Sequence, residues 1–367
     1  MNQISKLMSY KKNTNNSKLK IVFSPYTYAR ITVMDSQLLK KEDYDKLLKM
    51  GYNEAIHYIE HREYKQELSK YNFGTANPNI IETALNENLI QSLKKMHRIS
   101  NESTKKLIEQ YTQKYENHNI KTLLRIIITG KKIEQPEELI YETLKHNKEY
   151  YLDLLNKKPR EIIKQIEKER GEQIIPTETL QKLEQEEQIQ KKAMKETEDI
   201  LDKYELETLG KLSEKLKGKD SVSIKEMLHE LTELHNHNKI LRNATKGVKT
   251  KKETLINPNT DTQKILRQKT TQNQIKKILQ LNNITDKNEE LDYFEIEQKL
   301  KSNTIKTTTL TKHKNPLSIT YILNFLFKKE TEIQNLKILL KGKIFGFDEN
   351  QIRKMMVIYK WQHKTKN

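Results

Sequence analysis

Apolar residues recur at helical spacing along most of this chain. Over residues 35–50, Leu38, Leu39, Leu47 and Leu48 mark one face of a helix, and Gly51 is placed to end it. A second helix is expected over 54–71. Residues 79–96 predict a third, in which Ile80, Ile81, Leu85, Leu89, Ile90 and Leu93 form one stripe, and residues 100–115 predict a fourth. From 177 to 217, Leu180, Leu183, Ile189, Met194, Leu201, Leu209, Leu212 and Leu216 form the apolar side of a long helix or helical hairpin. The other residues there are mostly Glu, Lys and Gln, which reads as a solvated face. Strand-type alternation is confined to residues 19–23, so almost no sheet is expected. Two stretches read as linkers: 245–260, with a Lys-rich start and Asn257-Pro258-Asn259, and 301–318, with a Thr run and Asn315-Pro316.

Composition sharpens this into an all-α expectation. Only 9 Gly and 7 Pro occur in 367 residues, leaving little material for the tight turns of sheets. The chain is too long for one ordinary bundle, so two or three modules are expected, with thin cores because the hydrophobic fraction is 34 %. Without Cys, disulfides, thiolate zinc sites and thiol catalysis are excluded together. Residues 1–20 carry Lys and Asn where a signal peptide needs an apolar core, and no window approaches 18 consecutive apolar residues. The expectation is a protein neither exported nor membrane-spanning.

A net charge of +18 raises the question of nucleic acid. Lys246, Lys249, Lys251, Lys252, Lys264, Arg267 and Lys269 form the densest basic stretch, and a basic helical nucleic-acid-binding protein is the alternative function. Interleaved aromatics for base stacking are missing there, acidic residues are interspersed almost throughout, and lipid headgroups or an acidic partner fit the charge equally well.

The most informative feature is a repeated motif. Asn119-Ile120-Lys121-Thr122-Leu123-Leu124-Arg125, closed by Gly130, matches Asn335-Leu336-Lys337-Ile338-Leu339-Leu340-Lys341, closed by Gly346. A looser copy is Asp261-Thr262-Gln263-Lys264-Ile265-Leu266-Arg267, and Tyr28-Ala29-Arg30-Ile31 is a fainter fourth. The Asx residue is expected to cap a helix, the aliphatic pair to pack inward, and the basic residue to stand about two turns on. With Arg30, Arg125 and Arg267 marking equivalent helices, the chain divides into a polar tail (1–20) and helical modules at 21–115, 116–255 and 256–367.

These motifs, with Pro316-Leu317-Ser318-Ile319, Tyr321-Ile322-Leu323, residues 329–337 and Lys341-Gly342-Lys343, resemble the signature of the C subunit of archaeal-type (A-type, V/A-type) ATP synthases. The eukaryotic counterpart is the d subunit of the vacuolar ATPase. The resemblance implies a funnel of three pseudo-symmetric helical domains, a non-catalytic rotor part on the cytoplasmic face of the membrane, peripheral to it. Its implied partners are the proteolipid ring and the central stalk, its implied role torque transmission for ATP synthesis or ATP-driven ion transport. It implies no cofactor, no metal, no catalytic residue and no nucleic-acid partner, and gives Arg30, Asn119, Arg125, Asp261, Arg267, Asn335 and Lys341 a structural role.

The residues themselves agree. No Gly-x-x-x-x-Gly-Lys-Ser/Thr loop for nucleotide phosphates occurs, nor an intramembrane carboxylate for ion transfer. His229, Glu233, His235 and His237 are close in sequence but lack the His-Glu-x-x-His zinc pattern. His57 and His61 read as a solvated helix surface.

Overall fold

The computed structural model describes residues 24–71, 78–215, 218–284, 292–314 and 320–358, and among these every regular element is helical. The expected tail and the alternating segment 19–23 lie outside them. In chain order the α-helices are α1 (Pro25–Ser36), α2 (Lys41–Lys49), α3 (Tyr52–Glu60), α4 (Lys65–Leu68), α5 (Pro78–Ile99), α6 (Glu102–Thr129), α7 (Lys148–Leu154) and α8 (Pro159–Arg170). Then come α9 (Thr177–Lys182), α10 (Glu187–Lys215), α11 (Gly218–Thr245), α12 (Thr260–Leu266), α13 (Thr271–Leu281), α14 (Tyr293–Lys314), α15 (Thr320–Ile344) and α16 (Glu349–Met355).

Several boundaries differ from the sequence expectation, each for a local reason. The expected helix over 35–50 is only α2, because α1 ends at Ser36. Gly51 starts a helix rather than ending one: it is the N-cap of α3, and its N–H donates to Glu54 Oε2 at 3.0 Å. The helix over 54–71 breaks between α3 and α4, at a turn that buries the Tyr64 ring. The expected linker over 301–318 is helical as far as Lys314. Its Thr run is tolerated because Thr304 and Thr307 turn their hydroxyls back onto the carbonyls of Leu300 and Asn303, while Leu300 and Ile305 bury the other face.

Six long helices close into a ring. Each packs on the next in the order α6, α10, α11, α14, α15, α5 and back to α6. Ion pairs fix the directions: Lys121–Asp202 and Arg125–Glu198 run α6 and α10 antiparallel, and Lys341–Glu82 does the same for α15 and α5. Arg242, near the end of α11, bonds Tyr293 at the start of α14. Thus α6, α11 and α15 run one way and the other three run back.

The core divides along this axis. Where α6, α11 and α15 begin, one apolar cluster gathers Leu107 and Tyr111 of α6, Leu209 of α10, Met227 of α11, and Tyr321 and Phe325 of α15. Toward their other ends the apolar residues part. Leu123 and Leu124 join Tyr151, Ile162 and Ala193; Ile240 and Leu241 join Ile265, Ile278 and Ile296; Leu336 and Leu339 stay with α1–α5 and Ile352 of α16. The start and end of the described chain therefore share one cluster.

Charge, too, is buried at that junction. Lys328, Lys329 and Glu332 of α15 are all under 5 % exposed. Glu332 accepts from the Leu39 N–H, the Tyr64 hydroxyl and Lys329, and Lys328 reaches Asp35 at 3.3 Å. Glu330 accepts from Tyr111, Tyr115 and Lys114, tying α15 to α6. Such pairs hold only while every member is satisfied, so they fix how α15 meets its neighbours.

Candidate functional site

Each of the three parallel helices carries one fully buried Asn that clasps a single downstream residue. Asn119 Nδ2 donates to the Tyr141 carbonyl at 2.7 Å and its Oδ1 accepts from the Tyr141 N–H at 2.9 Å. Asn335 makes the same pair with Val357, at 2.9 and 2.8 Å. So does Asn236 with Ile256, at 2.8 and 2.9 Å. A side-chain amide offers a donor and an acceptor in one plane, so it satisfies both the N–H and the C=O of a residue that the helix ring would otherwise bury unpaired.

The third copy is therefore Asn236-His237-Asn238-Lys239-Ile240-Leu241-Arg242, which sequence reasoning missed. Its signal was present: Gly247 follows Asn236 at the same spacing as Gly130 follows Asn119 and Gly346 follows Asn335. All three glycines adopt positive φ, at 60°, 68° and 72°, where a side chain would strain the backbone. The stretch at 261–267 has no such glycine. Asp261 lies in the first turn of α12, bonded to Lys264 at 2.7 Å, with Asn259 as the cap, and Arg267 is the C-cap residue. Arg30 is exposed on α1. Asn119 and Asn335 stand inside long helices and cap neither, contrary to the capping role expected of them.

In two of the copies the basic residue meets an acid on the adjoining antiparallel helix. Arg125 pairs with Glu198 at 2.5 Å and Lys341 with Glu82 at 2.6 Å. Arg242 is held by Tyr293 and lies in the field of Glu297, which raise its pKa. The expected basic positions Arg125 and Lys341 are thus equivalent in contact, with Arg242 as their third.

Between α5, α6 and α15 a cleft of about 560 Å³ is lined by Glu82, His118, Arg125, Tyr141 and Lys337 among others. A second, of about 330 Å³, includes Lys114, Lys121, Glu205 and Glu330, and shares Asn86, His118, Tyr141 and Lys337 with the first. Burial holds His118 down at about 4, so its ring is neutral. Burial pushes Glu205 up to about 7 against the pull of Lys114 and Lys121, and it lowers Lys337. The arrangement sets charged groups around an open space and suits reception of a charged segment.

The histidines singled out in sequence do not converge. His237 is buried beside Glu233 at 3.6 Å, while His235 is influenced by Asp202 and Asp199 of α10. Among the described residues no three His, Asp or Glu side chains come together as a metal-binding group, and no helix is long and apolar enough to cross a membrane. His61 Nδ1 bonds its own helix at the His57 carbonyl, on an exposed surface.

Comparison with known proteins adds the family. Residues 27–355 match the family model described as ATP synthase (C/AC39) subunit. The C subunit of the A-type ATP synthase of Methanococcoides burtonii is 28 % identical over 350 residues, covering 91 % of this chain and 94 % of that protein. Its namesake in Methanosarcina mazei is 26 % identical, over 98 % of this chain and 100 % of that protein. That in Methanocaldococcus jannaschii is 26 % identical, over 93 % and 88 %. With a match running from α1 to α16 over the whole helix ring, the chain belongs to the ATP synthase (C/AC39) subunit family.

Proposed function

We propose that this chain is the non-catalytic adaptor of an A-type rotary ATP synthase, joining the central stalk to the proteolipid ring and transmitting torque between them. It sits peripherally on the cytoplasmic face, as three helical modules about a pseudo-threefold axis, and other subunits bind nucleotide and move ions.

The single observation that carries the reading is the threefold recurrence of clasp, closing glycine and cation contact on three parallel helices of a closed ring. A part that passes torque needs stiff elements with few soft joints, and a helix ring pinned at each repeat supplies them. The core is continuous where α6, α11 and α15 begin and divided where they end, which favours a socket that opens toward the divided end. Relatives matched over nearly their full length, each the C subunit of an A-type ATP synthase, support the choice of complex.

The test is co-purification. A tagged form of this chain recovered from detergent-solubilised membranes is expected to bring down the nucleotide-binding head and the proteolipid together. Recovery with nucleic acid instead would overturn the reading.

A further inference from the structure

The recurrence makes the three faces comparable position by position, and one position breaks the pattern. Two residues beyond the clasping Asn stand Lys121, Asn238 and Lys337. One turn beyond Glu198, Glu297 and Glu82 on the adjoining helices stand Asp202, Lys301 and Asn86. On the first face Lys121 meets Asp202 at 2.5 Å. On the second the lysine belongs to the other helix, with a neutral Asn238 as its counterpart, and Lys301 takes Glu297 at 3.6 Å. On the third the acid is missing, because Asn86 stands where Asp202 would.

Lys337 lines both clefts, with its ammonium 5.8 Å from the centre of the Tyr141 ring. The acid that acts on it, Glu82, is already engaged by Lys341 at 2.6 Å. Asn86 Oδ1 is buried and accepts no hydrogen bond. The neighbouring cations Lys114, Lys121 and Arg125 all have carboxylate partners. A half-buried ammonium left without an anion bears a desolvation cost that an incoming carboxylate offsets.

We infer that the joined clefts seat one carboxylate side chain of a protein segment entering the helix ring, with Lys337 as its ion-pair partner. This rests on the adaptor reading. The lysine shared by both clefts, unneutralised amid Glu82, Glu138, Glu205 and Glu330, matches one carboxylate, whereas a multiply charged phosphate would face those acids with only Lys337 and the exposed Lys131 of the first cleft to meet it. The consequence is a key: among the described residues of the three similar faces, only the third offers a free cation at this position, so a partner with one well-placed acid has one preferred rotational setting out of three.

Carbodiimide cross-linking of the assembled complex, purified from its own membranes, tests this by joining touching lysines and carboxylates. Mass spectrometry of the digest is expected to find Lys337 linked to an Asp or Glu of another subunit. Lys337 recovered unlinked, or linked within this chain, while the chain is retained in the complex, overturns the inference. Loss of the chain from the complex would instead strike at the adaptor reading, and is seen before any cross-link is made. A second arm uses Asn86→Asp, which supplies the missing acid from within. Affinity for the partner subunits is expected to fall about tenfold while the melting temperature holds or rises, and Lys337→Gln is expected to give the same fall. Unchanged affinity in both variants overturns the inference.

Discussion

A buried Asn that bonds both polar groups of one residue can be replaced by no other side chain of its size without leaving something unmet. Asn335→Asp keeps the shape but loses the donor, so the Val357 carbonyl faces a carboxylate oxygen. Leaving one buried acceptor unsatisfied costs about 1–3 kcal/mol, and urea unfolding of the variant is expected to show a loss at or above that range. Titration gives a second prediction at this scale. Burial depresses His118 and His237 to about 4, while Asp261 pulls His237 the other way. Between about pH 6.5 and 4 the unfolded chain then binds more protons at these groups, so stability falls as pH drops through that window. Glu205, raised to about 7, opposes this: its folded form holds a proton longer, so its contribution falls as pH rises from about 4.5 to 7. Burial also holds His235 down and raises Glu230 and Glu233, so the two sets oppose each other. His237→Gln removes one depressed histidine and is expected to make the melting temperature fall less between pH 7 and pH 5 than in the unaltered chain. An undiminished drop would contradict the assignment. The clasp itself was half legible. Asn119 and Asn335 stand out by their flanking residues, but their role does not, since a capping Asn and a mid-helix clasping Asn read alike in sequence. Asn236 was hidden because its neighbours His235 and His237 draw attention to metal chemistry, although Gly247 marks it.

At the scale of elements, the junction of α15 and α16 shows how a small residue sets a packing distance. A Cβ on Gly342 would lie 2.7 Å from Ile352 Cγ1 and 2.9 Å from Cδ1, and Ile352 is 1 % exposed, with little room to yield. Ala favours a helix interior over Gly by about 1 kcal/mol, whereas overpacking a core costs about 1–3 kcal/mol. Gly342→Ala is therefore expected to destabilise the protein. In an Ile352→Ala background, where the clash is gone, the same substitution should become neutral or stabilising. A double-mutant cycle by thermal unfolding reads this directly, and equal effects in both backgrounds would show that the contact is not what Gly342 serves. Helix type was legible from periodicity, as α5 and α10 illustrate, but lengths were not. The stretch 301–314 looks like a linker because Thr and Lys dominate it, yet Leu300, Ile305 and Thr308 give α14 a buried face against α11 and α15. The run Lys328–Glu332 is mostly charged, and its burial depends on Asp35, Tyr64 and Tyr115, which are far away in sequence. Single-sequence patterns do not carry such pairings.

For the whole molecule, the ring closes only because α15 packs on α5, and in the adaptor reading the apolar contacts of that seam would decide whether torque can pass. Leu336 and Leu339 lie within it at 0 % exposure. Truncating either to Ala costs about 2–5 kcal/mol, so the double variant loses a large part of the roughly 5–15 kcal/mol that holds a domain together. The closing seam should loosen while the rest of the ring stays paired through α6–α10 and α11–α14. If this chain is the adaptor, the effect separates two activities that normally run together. The catalytic head contains its own nucleotide sites in this reading, so ATP hydrolysis should persist when the adaptor is absent or weakened. Ion transport needs an unbroken path from stalk to ring, so it should fall with the amount of this chain retained. The measurement is hydrolysis beside ion transport in reconstituted vesicles, with the unaltered chain, with Leu336→Ala/Leu339→Ala, and without the chain. Transport is expected to drop in that order and hydrolysis to hold. Full transport from vesicles lacking the chain would refute the coupling role, and parallel loss of both activities would mean that this chain is needed to build the head rather than to connect it.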